Sequence, residues 1–149
     1  MNARTERERM VDRQIRARGI RDPRVLAAME TVPREAFLPP ELRELAYDDT
    51  PLPIAAGQTI SQPYIVARMT QALLSGGLPA KVLEVGFGCG YQTAVLAPFA
   101  GRIFAVERVE PRETQFPVVG EPHAFSAHVR DHPLQVGFGV GCLAGPVRR

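Results

Sequence analysis

A short apolar run that leads directly into a glycine-rich turn constrains this chain more than any other feature. Val82, Leu83 and Val85 form a run rich in β-branched residues, which predicts a strand buried on both faces. The glycines that follow at alternate positions are Gly86, Gly88 and Gly90. A helical pattern begins at Tyr91. A strand, a glycine turn and a helix form the unit in which a backbone closely approaches a nucleotide-like ligand at a helix N-terminus, so we predict an α/β fold with a ligand site here.

The details of the turn indicate which ligand it takes. Tyr91 and Gln92 stand where the dinucleotide fingerprint GxGxxG needs its third glycine, which disfavours NAD. A second apolar run ends in Glu107, 21 residues after Gly86, about where an acid meets a ribose in such folds. Its two oxygens match two vicinal hydroxyls, and Glu84 offers a negative charge to a cationic ligand. This series is typical of S-adenosylmethionine sites; a glycine-rich turn without a ligand is the simpler alternative.

Length and composition set the class of protein. At 149 residues the chain is at most one domain, and its apolar fraction of 45% and charged fraction of 23% are those of a globular protein. A net charge of +2 indicates neither a nucleic-acid nor a membrane partner, and no apolar run approaches the ~20 residues that span a bilayer. The N-terminus lacks the apolar core of a secretory signal. Cys89 and Cys142 do not form a disulfide framework, so we expect a cytoplasmic location.

Three longer helices and one short helix are predicted before the strand, together with an irregular stretch. The helical patterns cover residues 5–18 with Thr5 as N-cap and Gly19 as stop, residues 23–31 with Asp22 as N-cap, and residues 63–75, with a short helix at 41–46. Residues 47–63 are too rich in proline and turn residues for a regular element, although interleaved apolar residues predict that the segment is packed. Ser61 lies just before Pro63, and helix capping explains such a serine without any function.

Five segments of the chain resemble one family. They are Val32-Pro-Arg-Glu-Ala-Phe37, Asp49-Thr-Pro-Leu-Pro-Ile54, Gly57-Gln-Thr-Ile-Ser-Gln-Pro63, Val66-Ala-Arg-Met69 and Leu83-Glu-Val-Gly-Phe-Gly-Cys-Gly-Tyr91. Together, over about residues 10–110, they are similar to protein-L-isoaspartate O-methyltransferase. The GxGxG turn alone is common to most class I methyltransferases, whereas the segment around Ser61 is far more specific.

The resemblance implies a fold, a reaction and a set of site residues. The fold is a Rossmann-like class I methyltransferase sheet, and the reaction moves a methyl group from S-adenosylmethionine to the free carboxylate of isoaspartyl residues in damaged proteins and peptides. By the match, Ser61 takes the catalytic position, and a hydroxyl there holds one carboxylate oxygen while the other attacks. Thr59 and Ile60 line the cofactor pocket by resemblance, and Asp48 and Asp49 are either loop supports or ordinary turn residues. The cofactor-binding set is therefore Thr59, Ile60, Glu84, Gly86, Gly88, Gly90 and Glu107.

Two residues in the turn depart from the family pattern. Phe87 replaces a small Thr or Ser and crowds the methionine part of the cofactor unless its ring turns into the core. Cys89 replaces a Ser and is a weaker hydrogen-bond donor. Both departures predict a changed affinity and leave the class of ligand as it is.

The resemblance ends abruptly after Glu110. We divide the chain into an N-terminal helical and substrate-loop region (1–79), the start of the cofactor-binding unit (80–110) and an unrelated tail (111–149). Prolines and alternating glycines in the tail predict disorder, and an out-of-frame translation explains its composition. The family's remaining strands are absent, so we expect the strand at 82–85 to have one neighbour and a partly uncovered face.

These features leave alternatives to the repair enzyme. One alternative is a non-catalytic nucleotide-binding or interaction fragment, and the other is a methyltransferase that acts on another carboxylate. A metal site formed by His123, His128 and His132 is disfavoured, because only the last two have helical spacing and no helix is predicted there.

Overall fold

The computed structural model describes residues 2–109 and the backbone of two further strands, Ala124–Val129 and His132–Leu134. The α-helices are α1 (Ala3–Met10), α2 (Pro23–Thr31), α3 (Pro63–Leu74) and α4 (Tyr91–Leu96). The strands are β1 (Leu52–Pro53), β2 (Thr59–Ile60), β3 (Lys81–Val85), β4 (Arg102–Glu107), β5 (Ala124–Val129) and β6 (His132–Leu134). Short 3₁₀ segments lie at Arg34–Phe37, Pro40–Leu45, Ala55–Gly57 and Ala97–Phe99.

The first helix begins earlier than its sequence predicts. Asn2, not Thr5, is the N-cap: its side-chain oxygen accepts hydrogen bonds from both the backbone N–H and the hydroxyl of Thr5, each at 2.9 Å. The prediction of Thr5 as N-cap is therefore wrong, because an asparagine three residues upstream makes the same bond one turn earlier. After α1 the chain continues through a π-helical segment and a 3₁₀ turn to Gly19, whose φ of 94° ends the helical run as predicted.

The next two helices follow the sequence closely. Asp22 caps α2 by accepting from the N–H of Arg24 at 2.9 Å, and a proline occupies the first turn of both α2 and α3. The buried side chains of these helices, of α1 and of α4 form one core with the proline-rich segment. Its fully buried members include Met10, Val25, Met29, Ile60, Val66 and Val95.

The proline-rich stretch is packed, as predicted, but it also contains a small hairpin. β1 and β2 pair antiparallel, with Leu52 opposite Ile60, and both side chains are buried. The loop between them contains Ala56 at a φ of 57°. An alanine in this left-handed region is strained, which shows that the surrounding contacts fix the loop.

The main sheet has the order β3-β4-β5-β6. β4 is parallel to both β3 and β5, and β6 is antiparallel to β5. β5 and β6 fall in the region for which the sequence predicts no regular element. The side chains of residues 110–149, and with them the histidine and frameshift hypotheses, lie outside the described residues.

The prediction that β3 is buried on both faces is wrong. Val82 packs with Leu96 and Ile103 beneath α4 and is 8% exposed. On the opposite face, Leu83 and Val85 are 65% and 76% exposed. Among the described elements β3 pairs only with β4, so the expectation of one neighbour and a partly uncovered face agrees with the structure. The strand has the composition of a doubly covered strand, but within the part of the chain that the structure describes helices cover only one of its faces.

Candidate functional site

The glycine turn lies at the carboxyl end of β3 and leads into α4. Gly86, Gly88 and Gly90 all have positive φ, at 77°, 52° and 81°, and Gly90 is the N-cap of α4. Three such residues within five positions fold the backbone tightly without side chains on its outer surface. The side chain of Ile54 in the hairpin loop lies 3.8 Å from where a Cβ of Gly88 would stand. The hairpin and the turn are therefore direct neighbours.

A single cavity brings the two predicted segments together. Its lining residues are Thr59, Ile60, Ser61, Glu84, Gly86, Phe87, Gly88, Cys89, Tyr91 and Gln92. Six of the eight predicted site residues are among them. The other two are Gly90, the last glycine of the turn, and Glu107, which accepts a hydrogen bond from the N–H of Gly88.

Ser61 lies just before the N-terminus of α3 but does not cap this helix. The N-cap of α3 is Gln62, which makes no side-chain capping bond, so helix capping does not account for this serine. Its side chain is exposed beside the cavity, and its carbonyl accepts a hydrogen bond from Arg34 at 3.1 Å. The next residue is also fixed, because the Gln62 amide donates to the carbonyl of Asp49 at 3.0 Å. Asp49 in turn pairs with Arg18 at 2.6 Å, which supports the interpretation of Asp49 as a loop support.

Glu84 lines the cavity from the buried face of β3. Burial raises its pKa to about 7, although the Thr93 hydroxyl, which donates to it at 2.6 Å, acts to lower the pKa. Near neutral pH this carboxyl is therefore partly protonated. A cation in the cavity would favour the ionised form.

Glu107 fastens the glycine turn to the end of β4. One of its oxygens accepts from the N–H groups of Arg108 and Val109 at 2.8 and 2.9 Å, and the other from that of Gly88 at 3.0 Å. Burial acts to raise the pKa of Glu107, but these donors and the Gln58 side chain outweigh it, so the pKa lies below its usual range. Contact with a ribose stays a prediction, since the structure assigns the carboxylate these backbone partners.

The two departures from the family pattern both line the cavity. Phe87 is buried. Cys89 is half-buried and packs against the core, and burial raises the pKa of its thiol. The thiol is therefore protonated at neutral pH, which disfavours a nucleophilic role.

Sequence reasoning misses two residues behind the cavity. The sequence predicts Thr93 only as part of a helix, and no local pattern indicates that its hydroxyl bonds to Glu84 on β3. Arg34 is predicted only as part of a motif. Its guanidinium is completely buried and reaches the backbone at three points. The sequence indicates this burial only by placing the arginine between two apolar residues, Val32 and Phe37, both of which are buried in the structure.

The described residues contain neither of two other kinds of site. Within residues 2–109 no group of three or more His, Cys, Asp or Glu side chains has the arrangement of a metal site. In the same part of the chain no helix has the length and apolar character needed to cross a membrane.

The fold and the cavity together define a class of protein. A strand, a glycine turn, a helix and a parallel strand that ends in an acid are the nucleotide-binding part of a Rossmann-like class I methyltransferase. A family model for protein-L-isoaspartate(D-aspartate) O-methyltransferase matches residues 5–115. The chain belongs to this family.

Individual relatives agree with the family model. A protein-L-isoaspartate O-methyltransferase 1 of Rhodopseudomonas palustris (strain HaA2) is 65% identical over 105 residues, which cover 70% of this chain and 42% of that protein. The enzyme of Alcanivorax borkumensis is 57% identical over 110 residues, 74% of this chain and 49% of the relative. A crystal structure of a Plasmodium falciparum relative in complex with S-adenosyl-L-homocysteine is 28% identical, with a TM-score of 0.56 over 70% of this chain and 50% of that one. The chain thus spans about half the length of these relatives.

Proposed function

We propose that this chain binds S-adenosylmethionine and presents it to the free carboxylate of isoaspartyl residues, the substrate that the family name specifies. The observation that carries the proposal is the shared cavity. It places the Thr59–Ser61 segment, the most family-specific part of the sequence, against the glycine turn. A glycine turn without a ligand would not require a second, family-specific segment at its open side.

The side chains that line the cavity suit a cationic cofactor. They include one acid, Glu84, and, among the described residues, no Lys, Arg or His. This charge favours a sulfonium over a ligand that carries phosphate groups. The relative solved with S-adenosyl-L-homocysteine supports the same class of ligand.

The chemistry demands little from the protein beyond placement. When bound, S-adenosylmethionine supplies an electrophilic methyl group. The acceptor is a carboxylate with an ordinary pKa near 4, so it is already ionised at neutral pH and needs no general base. The Ser61 hydroxyl donates a hydrogen bond to one acceptor oxygen and leaves the other free to attack. Thr59 and Ile60 exclude water from the cofactor side, and the catalytic gain comes from orientation.

The proposed partners follow from this reaction, and the proposed location follows from the cysteine content of the sequence. The substrates are damaged proteins and peptides that carry isoaspartyl residues, and the cytoplasm is the proposed location. Nucleic acid and membranes are not among the proposed partners.

A second function has its own observation. Leu83 and Val85 leave an apolar face of the sheet exposed, at 65% and 76%. This exposed face favours a chain that binds the cofactor, or another partner, without turnover.

Calorimetry and a methyl-transfer assay separate these functions. We expect S-adenosylhomocysteine to bind, and methyl transfer to occur on an isoaspartyl peptide but not on its aspartyl counterpart. Ser61→Ala should lower kcat at least about tenfold, the value of one charge-assisted hydrogen bond, and leave cofactor affinity nearly unchanged. Ser75→Ala is the matched control, because that exposed hydroxyl donates to the carbonyl of Ala72 at the end of α3.

Other results of these two assays would support one of the alternatives or contradict the proposal. Binding without transfer supports the non-catalytic fragment, and transfer to other carboxylates at the same rate supports the broader methyltransferase. No binding at millimolar cofactor by a folded sample contradicts the proposal.

A further inference from the structure

Arg34 is a charged side chain buried completely inside the core, with 0% of its surface exposed. One terminal nitrogen donates to the carbonyl of Ala46, in a short contact. The other donates to the carbonyls of Thr50 and Ser61, each at 3.1 Å. One guanidinium therefore joins both ends of the segment that leads from the 3₁₀ turn at Pro40–Leu45 to the start of α3.

The surroundings of Arg34 indicate that these backbone bonds are the reason for its burial. None of the ion pairs found among residues 2–109 includes Arg34, although a buried charge is usually paired with a carboxylate. Burial acts to lower its pKa, and the guanidinium lies 5.9 Å from the ring centre of Tyr91. An apolar side chain would fill the same volume without desolvating a charge.

The geometry also explains why the residue is an arginine. A guanidinium is a planar fork with five donors, and it reaches several acceptors in fixed directions. A lysine carries the same charge on one nitrogen at the end of a flexible stem. It has no second nitrogen, so it cannot hold the Ala46 carbonyl at one nitrogen and the carbonyls of Thr50 and Ser61 at another.

We propose that Arg34 is a positioning residue that fixes Ser61 at the edge of the cavity through the carbonyl of Ser61. This inference rests on the proposed function, since it gives Ser61 the role of orienting the methyl acceptor. Arg34 does not contact the substrate. It ties the backbone of Ser61 to Ala46 and Thr50, so the serine hydroxyl points to one place while the substrate enters.

A thiol introduced at position 61 reports this positioning without requiring turnover. In a Ser61→Cys chain, the rate of alkylation of the introduced thiol is measured by peptide mass spectrometry across pH, with Arg34 retained and after Arg34→Lys. We expect Arg34→Lys to change this rate at least about threefold and to shift its pH profile. Arg24→Lys is the matched control, because Arg24 is on the surface and its guanidinium pairs with Asp22.

Cys89 distinguishes positioning from general loosening. It lies half-buried in the glycine turn, and Arg34→Lys keeps the positive charge near it. A looser core would accelerate alkylation of Cys89 and of the introduced thiol alike, whereas a displaced loop changes the introduced thiol alone. In a chain that turns over, Arg34→Lys should also lower kcat about tenfold, with the affinity for S-adenosylhomocysteine unchanged.

Two outcomes overturn the inference, and a third concerns only the proposed function. An unchanged alkylation profile of the introduced thiol in folded Arg34→Lys and Arg34→Gln chains would show that Arg34 does not position the site. Failure of both variants to fold, even in an osmolyte that favours the compact state, would make Arg34 a core residue only. A wild-type chain that ignores S-adenosylhomocysteine contradicts the proposed function, but it leaves the alkylation comparison readable.

Discussion

Glu107 offers the sharpest test of how the glycine turn is held. Its carboxylate accepts three backbone N–H groups, two on one oxygen and the third, from Gly88, on the other. In Glu107→Gln the amide oxygen can keep the two bonds to residues 108 and 109. The amide nitrogen then faces the N–H of Gly88, so two donors meet and that bond is lost.

The magnitude follows from the type of bond. A hydrogen bond to a charged group contributes about 1.5–3 kcal/mol and a neutral one about 1 kcal/mol. The substitution converts two charge-assisted bonds to neutral bonds and removes the third. We expect Glu107→Gln to lower the free energy of unfolding by about 3 kcal/mol.

Urea unfolding followed by circular dichroism measures this loss, with Glu30→Gln as the control. Glu30 is exposed on α2, and a surface change of this kind is expected to stay within about 0.5 kcal/mol. The two variants have the same chemistry, so their difference isolates the environment of Glu107. An equal m-value in both shows that the unfolded state has not changed.

The pH dependence of the loss provides an independent check. The folded-state pKa of Glu107 is lowered, so its stabilisation is present above the unfolded value of about 4.3 and is lost as the pH falls through the folded value. The gap between wild type and Glu107→Gln should therefore narrow in acid. A loss below about 0.5 kcal/mol at pH 7, or a gap that does not narrow, would refute the interpretation of Glu107 as the anchor of the turn.

Three further substitutions test the buried face of the sheet and the wall of the cavity. The folded-state pKa of Glu84 is raised to about 7, so the contribution of this carboxyl to stability is lost as the pH rises from the unfolded pKa through 7. Glu84→Gln should therefore be more stable than wild type at pH 8. An equal or lower melting temperature of the variant at that pH would contradict this expectation. Val82→Ala should lower the free energy of unfolding by about 2 kcal/mol and Val85→Ala by under about 0.5 kcal/mol, because of these two side chains only that of Val82 is buried. Equal losses in urea unfolding would show that both faces of β3 are covered. The Tyr91 hydroxyl is buried and has no hydrogen-bond partner among the described residues, so Tyr91→Phe should leave the melting temperature unchanged or raise it, and a clear drop would reveal a partner.

Local sequence signals predicted the backbone framework well. Proline in the first turns of α2 and α3, Asp22 at the start of α2 and Gly19 at the end of the first helical run act within a few residues, and the structure confirms them. Where two local signals compete, the prediction is weaker. Asn2 and Thr5 are both good caps, and the structure uses Asn2, which binds Thr5 as its partner.

The site was predictable in its members but not in its connections. The glycine turn and the segment from Thr59 to Ser61 are identifiable from the sequence, and one cavity joins them. The contacts behind them are not. Thr93 bonds to Glu84, Arg34 bonds to Ser61, and Gln92 donates to Thr70 at 3.0 Å, each across a distance in the chain that no periodicity encodes.

The sequence by itself determined the order of strand, glycine turn and helix, because backbone conformation at glycine and proline is decided within one or two residues. Only the tertiary structure decided which of those residues are covered. Leu83 and Val85 have the side chains of a buried strand and are exposed, whereas Arg34 has a charged side chain and is fully buried. Burial depends on which elements pack against a residue, and that is a property of the assembled chain.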